Sequence, residues 1–328
     1  MKKTIAVLLA AVIIFGFCAC SSPKQETSAD KAESKTKLSE EELKEKRESL
    51  PVQTMLAGGH FHSVGVKSDG TVAATTDSTF DETSVQGWSD IVAVSAANYH
   101  TVGVRSDGTV VAAGMNTGNQ LDVEDWKDIV EVAAGECHTV GLKKDGTVVC
   151  TDGKNTGFGH EQTGIGEWKD IVAISAAECH TVGLKADGTV VGAGLNSSGV
   201  LDVDKWTDIV AISTGTSITA GLKADGTVVS TYQRNGFIAV SNWENIVAIS
   251  VGSNYIFGLR SDGTVVAASS GDDQLAKVSD IESWKDIAAI GTGGNFILGL
   301  RSDGTVAAAG NNEYGQCDVG DWKDIRLP

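Results

Sequence analysis

The sequence predicts an all-β protein, a seven-bladed β-propeller with four antiparallel strands in each blade. The first observation behind this prediction is a repeat whose period is marked by every tryptophan in the chain: Trp88, Trp126, Trp168, Trp206, Trp243, Trp284 and Trp322. The second is an Asp-Gly-Thr-Val motif with the same period, which begins at Asp69, Asp107, Asp145, Asp187, Asp225, Asp262 and Asp303. The third is the run of short β-branched segments between these markers. Self-similarity at a period near 40 residues is typical of propellers and solenoids.

One unit of the repeat shows how its strands are predicted. Three runs are rich in β-branched residues and too short to be helices, namely 170–175, 180–185 and 189–194. The Asp-Gly pair between the second and third runs favours a tight hairpin, and the antiparallel pairing that follows favours a propeller over a solenoid. Small residues such as Ala173 and Ser175 place the first strand beside a central channel. Val200–Val203 is the predicted fourth strand.

The two ends of the repeat complement each other. The first unit starts near Val52 without a preceding Trp-x-Asp, and the last ends at Trp322-Lys-Asp-Ile with no strands after it. An open ring would leave unpaired strand edges. We therefore expect residues 322–328 to pair beside the N-terminal strands and to close the ring.

Two segments carry a family resemblance. GECHTVGLKKDGTV (135–148) and AAGNNEYGQ (308–316) resemble the regulator of chromosome condensation repeat family, and the likeness extends over about 55–328. The resemblance implies a seven-bladed propeller. Some members of that family are guanine-nucleotide exchange factors for a nuclear GTPase, and a secreted bacterial member inhibits β-lactamases. Fold does not fix function, so an activity has to be argued from the site.

The N-terminus predicts export. Lys2 and Lys3 precede an apolar run from Ile5 to Phe17, and Cys18-Ala19-Cys20 follows. This pattern is similar to the signal peptides of bacterial lipoproteins, which implies a signal over 1–19, lipidation of Cys20 and an extracytoplasmic, membrane-anchored protein. The alternative is a simple cleaved signal that leaves a free thiol.

Residues 20–50 are polar and predict a tether between the lipid and the propeller at 51–328. Ser39 and the glutamates after it could cap a short helix from Leu43 to Arg47, which we expect to be exposed. The net charge of −17 disfavours nucleic acid as a ligand.

Candidate catalytic or metal-binding residues fit structural roles better. His62, His100, His138 and His180 share one repeat position with Ile218, Tyr255 and Phe296, which predicts packing. The pairs Cys137-His138 and Cys179-His180 lack the spacing of a zinc site, and a disulfide between Cys137 and Cys179 is conceivable, although free thiols, including Cys150 and Cys317, are the default expectation. Glu131 stands alone on a presumed inner strand. We predict no cofactor, no metal and no enzymatic activity.

Binding is predicted on the face where the loops differ between repeats. The Asp-Gly turns and tryptophan connections lie on one face and hardly vary, whereas the loops on the opposite face vary widely. The predicted partner-binding residues there are Phe61, Tyr99, Phe158, Tyr232, Arg234 and Tyr314. The expected function is a monomeric binding or scaffold module for a protein or cell-wall partner, with inhibition as one form of that binding. The alternative is an extracytoplasmic hydrolase or lyase with a site at the channel mouth.

Overall fold

The computed structural model describes residues 38–50, 55–75, 80–151, 162, 164–196, 198–231, 240–269 and 276–328. These residues form seven sheets of three antiparallel strands, each built from strands that are consecutive in the chain. The seven blades and the antiparallel pairing confirm the predicted architecture. The strands, three to each blade in chain order, are β1 Leu56–Gly58, β2 Ser63–Val66, β3 Val72–Ala74, β4 Ile91–Ala96, β5 His100–Arg105, β6 Val110–Gly114, β7 Ile129–Ala134, β8 Thr139–Lys143, β9 Val148–Cys150, β10 Ile171–Ala177, β11 His180–Lys185, β12 Val190–Gly194, β13 Ile209–Thr214, β14 Thr219–Lys223, β15 Val228–Ser230, β16 Ile246–Val251, β17 Tyr255–Arg260, β18 Val265–Ser269, β19 Ile287–Thr292, β20 Phe296–Arg301 and β21 Val306–Gly310.

The prediction of a fourth strand in each blade is wrong for the residues described. Val200–Val203, the predicted fourth strand, lies in turns. The Asn196 side chain accepts a hydrogen bond from the Leu201 backbone amide at 2.9 Å and donates one to Asp202 at 3.1 Å. An asparagine side chain that satisfies the backbone in this way competes with strand pairing. Short 3-10 helices precede the tryptophans of three other blades, at Ile165–Glu167, Val240–Asn242 and Ala276–Ser283.

The Asp-Gly hairpins form as the sequence predicts. In the second blade, Gly108 has a φ of 81°, a value that glycine adopts without steric cost. The Asp107 carboxylate accepts hydrogen bonds from the Thr109 amide at 2.9 Å and from its hydroxyl at 2.7 Å. Each of these turns therefore encodes its own geometry locally.

The tryptophans fix how each blade is packed. The Trp88 indole covers Gly103 in the middle of β5, where an added Cβ would lie 2.9 Å from the ring. Only glycine leaves room for this contact, which explains the Val-Gly pattern of the middle strands. Trp322 makes the same contact with Gly65 of the first blade.

Neighbouring blades are joined at their turns. The Ile91 amide of the second blade donates to Gly70 O of the first blade's Asp-Gly turn at 2.9 Å. At the C-terminus, the amide of Ile325 donates to Gly304 O at 3.1 Å. Ser68 N then bonds Asp324 O, and Arg326 N bonds Val66 O, both at 2.8 Å. Residues 324–326 thus give the first blade the contacts that the other blades receive from their own tryptophan connections.

Helix α1 spans Glu40–Glu48 and begins with a capping box, as the sequence suggests. The helix is exposed, as expected, at seven of its nine residues, but its one apolar side chain is buried against the propeller. Leu43 is 0 % exposed and packs in a cluster with residues of the fifth and sixth blades. Arg47 donates hydrogen bonds to Ala186 O at 3.3 Å, so the helix is fastened to the propeller at the Asp-Gly turns.

In the part of the chain that the structure describes, no helix combines the length and the apolar character that crossing a membrane requires.

Candidate functional site: an aromatic cluster on the variable face

Antiparallel pairing sorts the connections onto two opposite faces. The variable face carries the loop between the first and second strands of each blade and the loop after the third strand. The turn face carries the Asp-Gly turns, the tryptophan connections and helix α1. The predicted division of the loops therefore agrees with the strand order.

Five rings meet on the variable face, and we call them the aromatic cluster: His60, Phe61, Phe80, Tyr99 and Tyr314. The Phe61 ring stacks on Tyr99 at 5.5 Å between centroids and meets Tyr314 edge-on at 4.7 Å. The Phe80 ring meets Tyr99 edge-on at 5.0 Å, and His60 lies 4.5 Å from Phe61. Offset-stacked and edge-on contacts are the favourable arrangements of aromatic pairs, so the cluster holds itself together.

The cluster is partly open to solvent. Phe80 is 39 % exposed and Tyr314 is 44 % exposed. Phe61 and Tyr99 are half-buried between them. The exposed rings leave apolar surface that a partner can bury, and burial of apolar surface is favourable by about 25 cal/mol per Å².

Buried side chains position the backbone under the outer rings. Glu82 is fully buried and accepts a hydrogen bond from the Phe80 amide at 2.7 Å. Gln316 accepts the Tyr314 amide in the same way at 2.8 Å. Because these hydrogen bonds hold the backbone of both rings in place, little conformational entropy is lost when a ligand binds.

The structure brings together three of the predicted binding residues, Phe61, Tyr99 and Tyr314. Phe158, Tyr232, Arg234 and the predicted lipidation site Cys20 lie outside the described residues. Sequence reasoning missed His60 and Phe80. Phe80 could have been found, because it stands two residues before Glu82 just as Tyr314 stands two residues before Gln316.

A row of hydrogen bonds between blades lies beneath the variable face. The Nε2 atom of each histidine in this row contacts a threonine hydroxyl of the next blade, in the pairs His62–Thr101 at 2.7 Å, His100–Thr139 at 3.0 Å, His138–Thr181 at 3.0 Å and His180–Thr214 at 2.6 Å. We call these contacts the histidine latches. The predicted packing role is confirmed, since all four rings are buried, and the latches add a polar link between blades.

The hydrogen bonds fix the tautomer of the buried rings. The Thr139 hydroxyl donates to Gln120 O at 2.7 Å, so it must accept from the Nε2–H of His100. The Nδ1 atom of His100 then has no hydrogen-bond partner among the described residues. Burial, together with the nearby His138 and His62, lowers the pKa of His100 to about 3. A protonated His100 is therefore disfavoured in the folded protein.

The first strands of the blades line a central channel with a volume of about 450 Å³. Its walls are mostly alanine, serine, glycine and threonine, as the sequence predicts. Arg47 and Leu50 contribute to the lining at the turn face. Glu131 also lines the channel, and burial raises its pKa to about 8, against the hydrogen bond from the Ile174 amide. At neutral pH this carboxyl is mostly protonated.

Charge is distributed unequally between the faces. In the described loops of the variable face, the acidic side chains that reach solvent include Asp81, Glu136, Glu178 and Glu313. Lysines and arginines instead stand beside the Asp-Gly turns and the tryptophans, as at Lys67 and Lys127. The aromatic cluster is thus set in a negative surface.

Possible metal ligands were compared for their positions in the described residues. Within the described ranges, no group of three or more histidine, cysteine or carboxylate side chains is placed to hold a metal ion. Among the described residues, Cys137, Cys150, Cys179 and Cys317 are not joined in disulfide bonds.

The regulator of chromosome condensation (RCC1) repeat model matches residues 91–120 and 285–316. These two segments of the chain match the RCC1 repeat. The matched segments run from the first strand of a blade to the loop after its third strand, so they end on the variable face. The comparison with curated proteins found no match.

Several solved structures share this RCC1-type fold. The CRINKLY WD40 ectodomain of the Arabidopsis thaliana receptor kinase ACR4 is 14% identical, with a TM-score of 0.61, over 85% of this chain and 98% of that one. Prp20p from Saccharomyces cerevisiae, described with its binding to Gsp1p and histones, is 16% identical, with a TM-score of 0.56, over 80% of this chain and 83% of that one. Yeast RCC1 (Prp20) bound to Kap60 is 15% identical, with a TM-score of 0.56, over 90% and 98%. At these identities the likeness concerns the fold.

Proposed function

We propose that this protein is a non-catalytic binding module that recognises a protein partner through its variable face. The observation that carries the proposal is the aromatic cluster, which joins partly exposed rings from three adjoining blades. Aromatic side chains at the centre of an interface supply much of its binding energy. The proteins named with yeast Prp20 are in keeping with a protein partner for an RCC1-type propeller.

The partner's surface is basic in this proposal. The described variable loops are acidic, and the chain as a whole has a net charge of −17. Complementary charge speeds association and selects against acidic competitors. One form that such binding can take is inhibition of the partner.

The proposal also includes anchoring outside the cytoplasm through a lipid on Cys20. The described chain begins on the turn face, where the Leu38 amide donates to Asp208 at 3.2 Å. The aromatic cluster lies on the opposite face. The first described residues of the propeller unit and the proposed binding surface are therefore on different faces.

We further infer that the C-terminal segment closes the ring of blades. Its support is the set of contacts that residues 322–326 make with Gly65, Val66 and Ser68. A closed ring keeps the first and seventh blades in register, which the aromatic cluster requires because Tyr314 comes from the seventh blade and Phe61 from the first.

Affinity capture with matched variants tests the binding proposal. The protein is immobilised, an extract of its source cells is passed over it, and the retained proteins are compared with those held by the Phe61→Ala, Tyr99→Ala double variant. The matched control is Val130→Ala with Val172→Ala, which removes exposed apolar side chains from the turn-face ends of two first strands. The account predicts that the aromatic variant loses a specific partner that the control retains. Equal retention by both variants would remove the variable face as the binding surface.

A further inference from the structure

Two cysteines occupy the repeat position that builds the centre of the aromatic cluster. The residue just before each histidine latch is Phe61 in the first blade and Tyr99 in the second, and it is Cys137 in the third and Cys179 in the fourth. Phe61 and Tyr99 stack with their centroids 5.5 Å apart. At this repeat position, the side chains of the first two blades therefore meet across the gap between the blades.

The backbone brings the two cysteine loops equally close. The Glu136 amide donates to Glu178 O at 2.9 Å, and these residues directly precede Cys137 and Cys179. The same hydrogen bond joins Ser253 to Gly294 at 2.7 Å between the sixth and seventh blades. The loops that carry Cys137 and Cys179 are therefore in direct backbone contact one residue before each cysteine, which is the closeness that a disulfide requires, since it joins residues whose Cα atoms lie within about 7 Å.

The pKa values of both thiols are raised, and Cys137 contributes to the shift of Cys179. Burial, together with the negative charges of Cys137, Glu136 and Glu178, raises the pKa of Cys179 to about 12. Burial likewise raises the pKa of Cys137, together with Glu136. Cys137 is half-buried whereas Cys179 is buried, so Cys137 is the thiol that a reagent from solution can reach first.

We propose that Cys137 and Cys179 form a reversible disulfide that joins the third and fourth blades at the rim of the variable face. The proposal stands on the loop geometry and is independent of the proposed binding function.

The oxidant in this proposal is a small disulfide, and the reaction is thiol–disulfide exchange. The Cys137 thiolate attacks one sulfur of the small disulfide, which forms a mixed disulfide and releases one small thiolate. The Cys179 thiolate then attacks the sulfur of Cys137 and displaces the second. Overall, two protein thiols become one disulfide, one small disulfide becomes two small thiols, and the protons lost by the cysteines end on those thiols.

The raised pKa values predict a slow reaction at neutral pH. Only the thiolate is nucleophilic. At pH values below the thiol pKa, the fraction of thiolate rises about tenfold for each unit by which the pH increases. We therefore expect the rate of linkage to rise about tenfold between pH 7.5 and pH 8.5.

Peptide mapping tests the linkage directly. The folded protein is incubated with bis(2-hydroxyethyl) disulfide, a neutral reagent that the nearby glutamates do not repel. Remaining thiols are then alkylated, and the protein is digested with trypsin. Cys137 lies in peptide 128–143 and Cys179 in peptide 170–185, so a disulfide between them joins two peptides of known mass. Tryptophan fluorescence checks that the protein stays folded throughout.

The expected result is one dominant linked pair, 128–143 with 170–185, which disappears on reduction. The Cys137→Ser and Cys179→Ser variants should each abolish it, whereas the matched Cys317→Ser variant, in the seventh blade, should retain it. Denaturation in urea before oxidation should scatter the linkages over several cysteines. Recovery of both peptides fully alkylated from the wild-type protein after prolonged exposure at pH 8.5, or linkage of either cysteine elsewhere in the folded protein, would overturn the proposal.

Discussion

The histidine latches should make the fold sensitive to mild acid, and His100 tests this in isolation. Its side chain is fully buried, and its pKa falls from an ordinary 6.5 to about 3. The unfolded chain therefore takes up a proton below pH 6.5 that the folded chain refuses. His100 contributes its full stabilisation above pH 6.5, and that contribution is lost as the pH falls from 6.5 towards 3.

The loss of folding stability can be calculated from the number of pH units below the pKa of the unfolded His100. At pH 5 the unfolded His100 is 1.5 units below its own pKa while the folded ring is still neutral, which costs about 2 kcal/mol at about 1.4 kcal/mol per unit. His62 and His180, with pKa values lowered by burial to about 4, add costs of the same sign over the same interval. Glu131 acts in the opposite direction, because its pKa is raised to about 8. Glu131 is present in both the wild type and the His100 variant, so its contribution cancels when the two are compared.

The assay is urea unfolding followed by tryptophan fluorescence at several pH values from 7.5 to 5. The variant is His100→Gln, which can still donate to Thr139 and does not titrate. The free energy of unfolding of this variant should fall by about 2 kcal/mol less than that of the wild type over this range. Val172→Ala, an exposed change that removes no titratable group, is the control and should keep the wild-type dependence. Identical slopes for His100→Gln and the wild type would refute the latch argument.

Three further predictions concern other parts of the molecule. Leu43→Ala should lower the free energy of unfolding by about 2–5 kcal/mol in urea titrations, because Leu43 is fully buried. The control, Lys44→Ala, changes the exposed neighbouring residue and should lower it little. Equal effects of the two substitutions would mean that helix α1 is not docked on the propeller. Glu131→Gln should stabilise the protein at pH 8 and have little effect at pH 4.5. The reason is that the raised pKa of Glu131, about 8, lowers the free energy of unfolding of the wild type as the pH rises from 4.5 to 8. A difference in stability between variant and wild type that does not vary with pH would contradict this. Deletion of 322–328 should lower the midpoint of thermal unfolding, because it uncovers Gly65 and removes the bonds to Val66 and Ser68; an unchanged midpoint would count against ring closure.

Local signals predicted the blades because each blade is encoded by its own residues. The Asp107-Gly108 hairpin needs only glycine at a positive φ and a carboxylate that accepts from Thr109. The spacing of the tryptophans gave the number of blades, since each indole covers one glycine of a middle strand. The fourth strand was predicted wrongly because Val200–Val203 has strand-like composition, while the side chain of Asn196 holds the backbone in turns.

Contacts between distant segments could not be predicted in the same way. Leu43 is a single apolar residue in a polar helix, and nothing near it in sequence indicates the cluster of the fifth and sixth blades that buries it. The aromatic cluster was found in part, because Phe61 and Tyr99 share a repeat position. The contact of Phe61 with Tyr314 joins the two ends of the repeat and depends on the ring as a whole.

Site-specific photocrosslinking in the source cells tests the central claim most directly. A photoreactive phenylalanine analogue replaces either Tyr314, which is 44 % exposed on the variable face, or Val130, which is 50 % exposed at the turn-face end of β7. The account predicts that the probe at Tyr314 captures one specific protein and that the probe at Val130, equally accessible, does not. Capture of the same protein from Val130 and none from Tyr314 would place the binding surface on the opposite face and contradict the account.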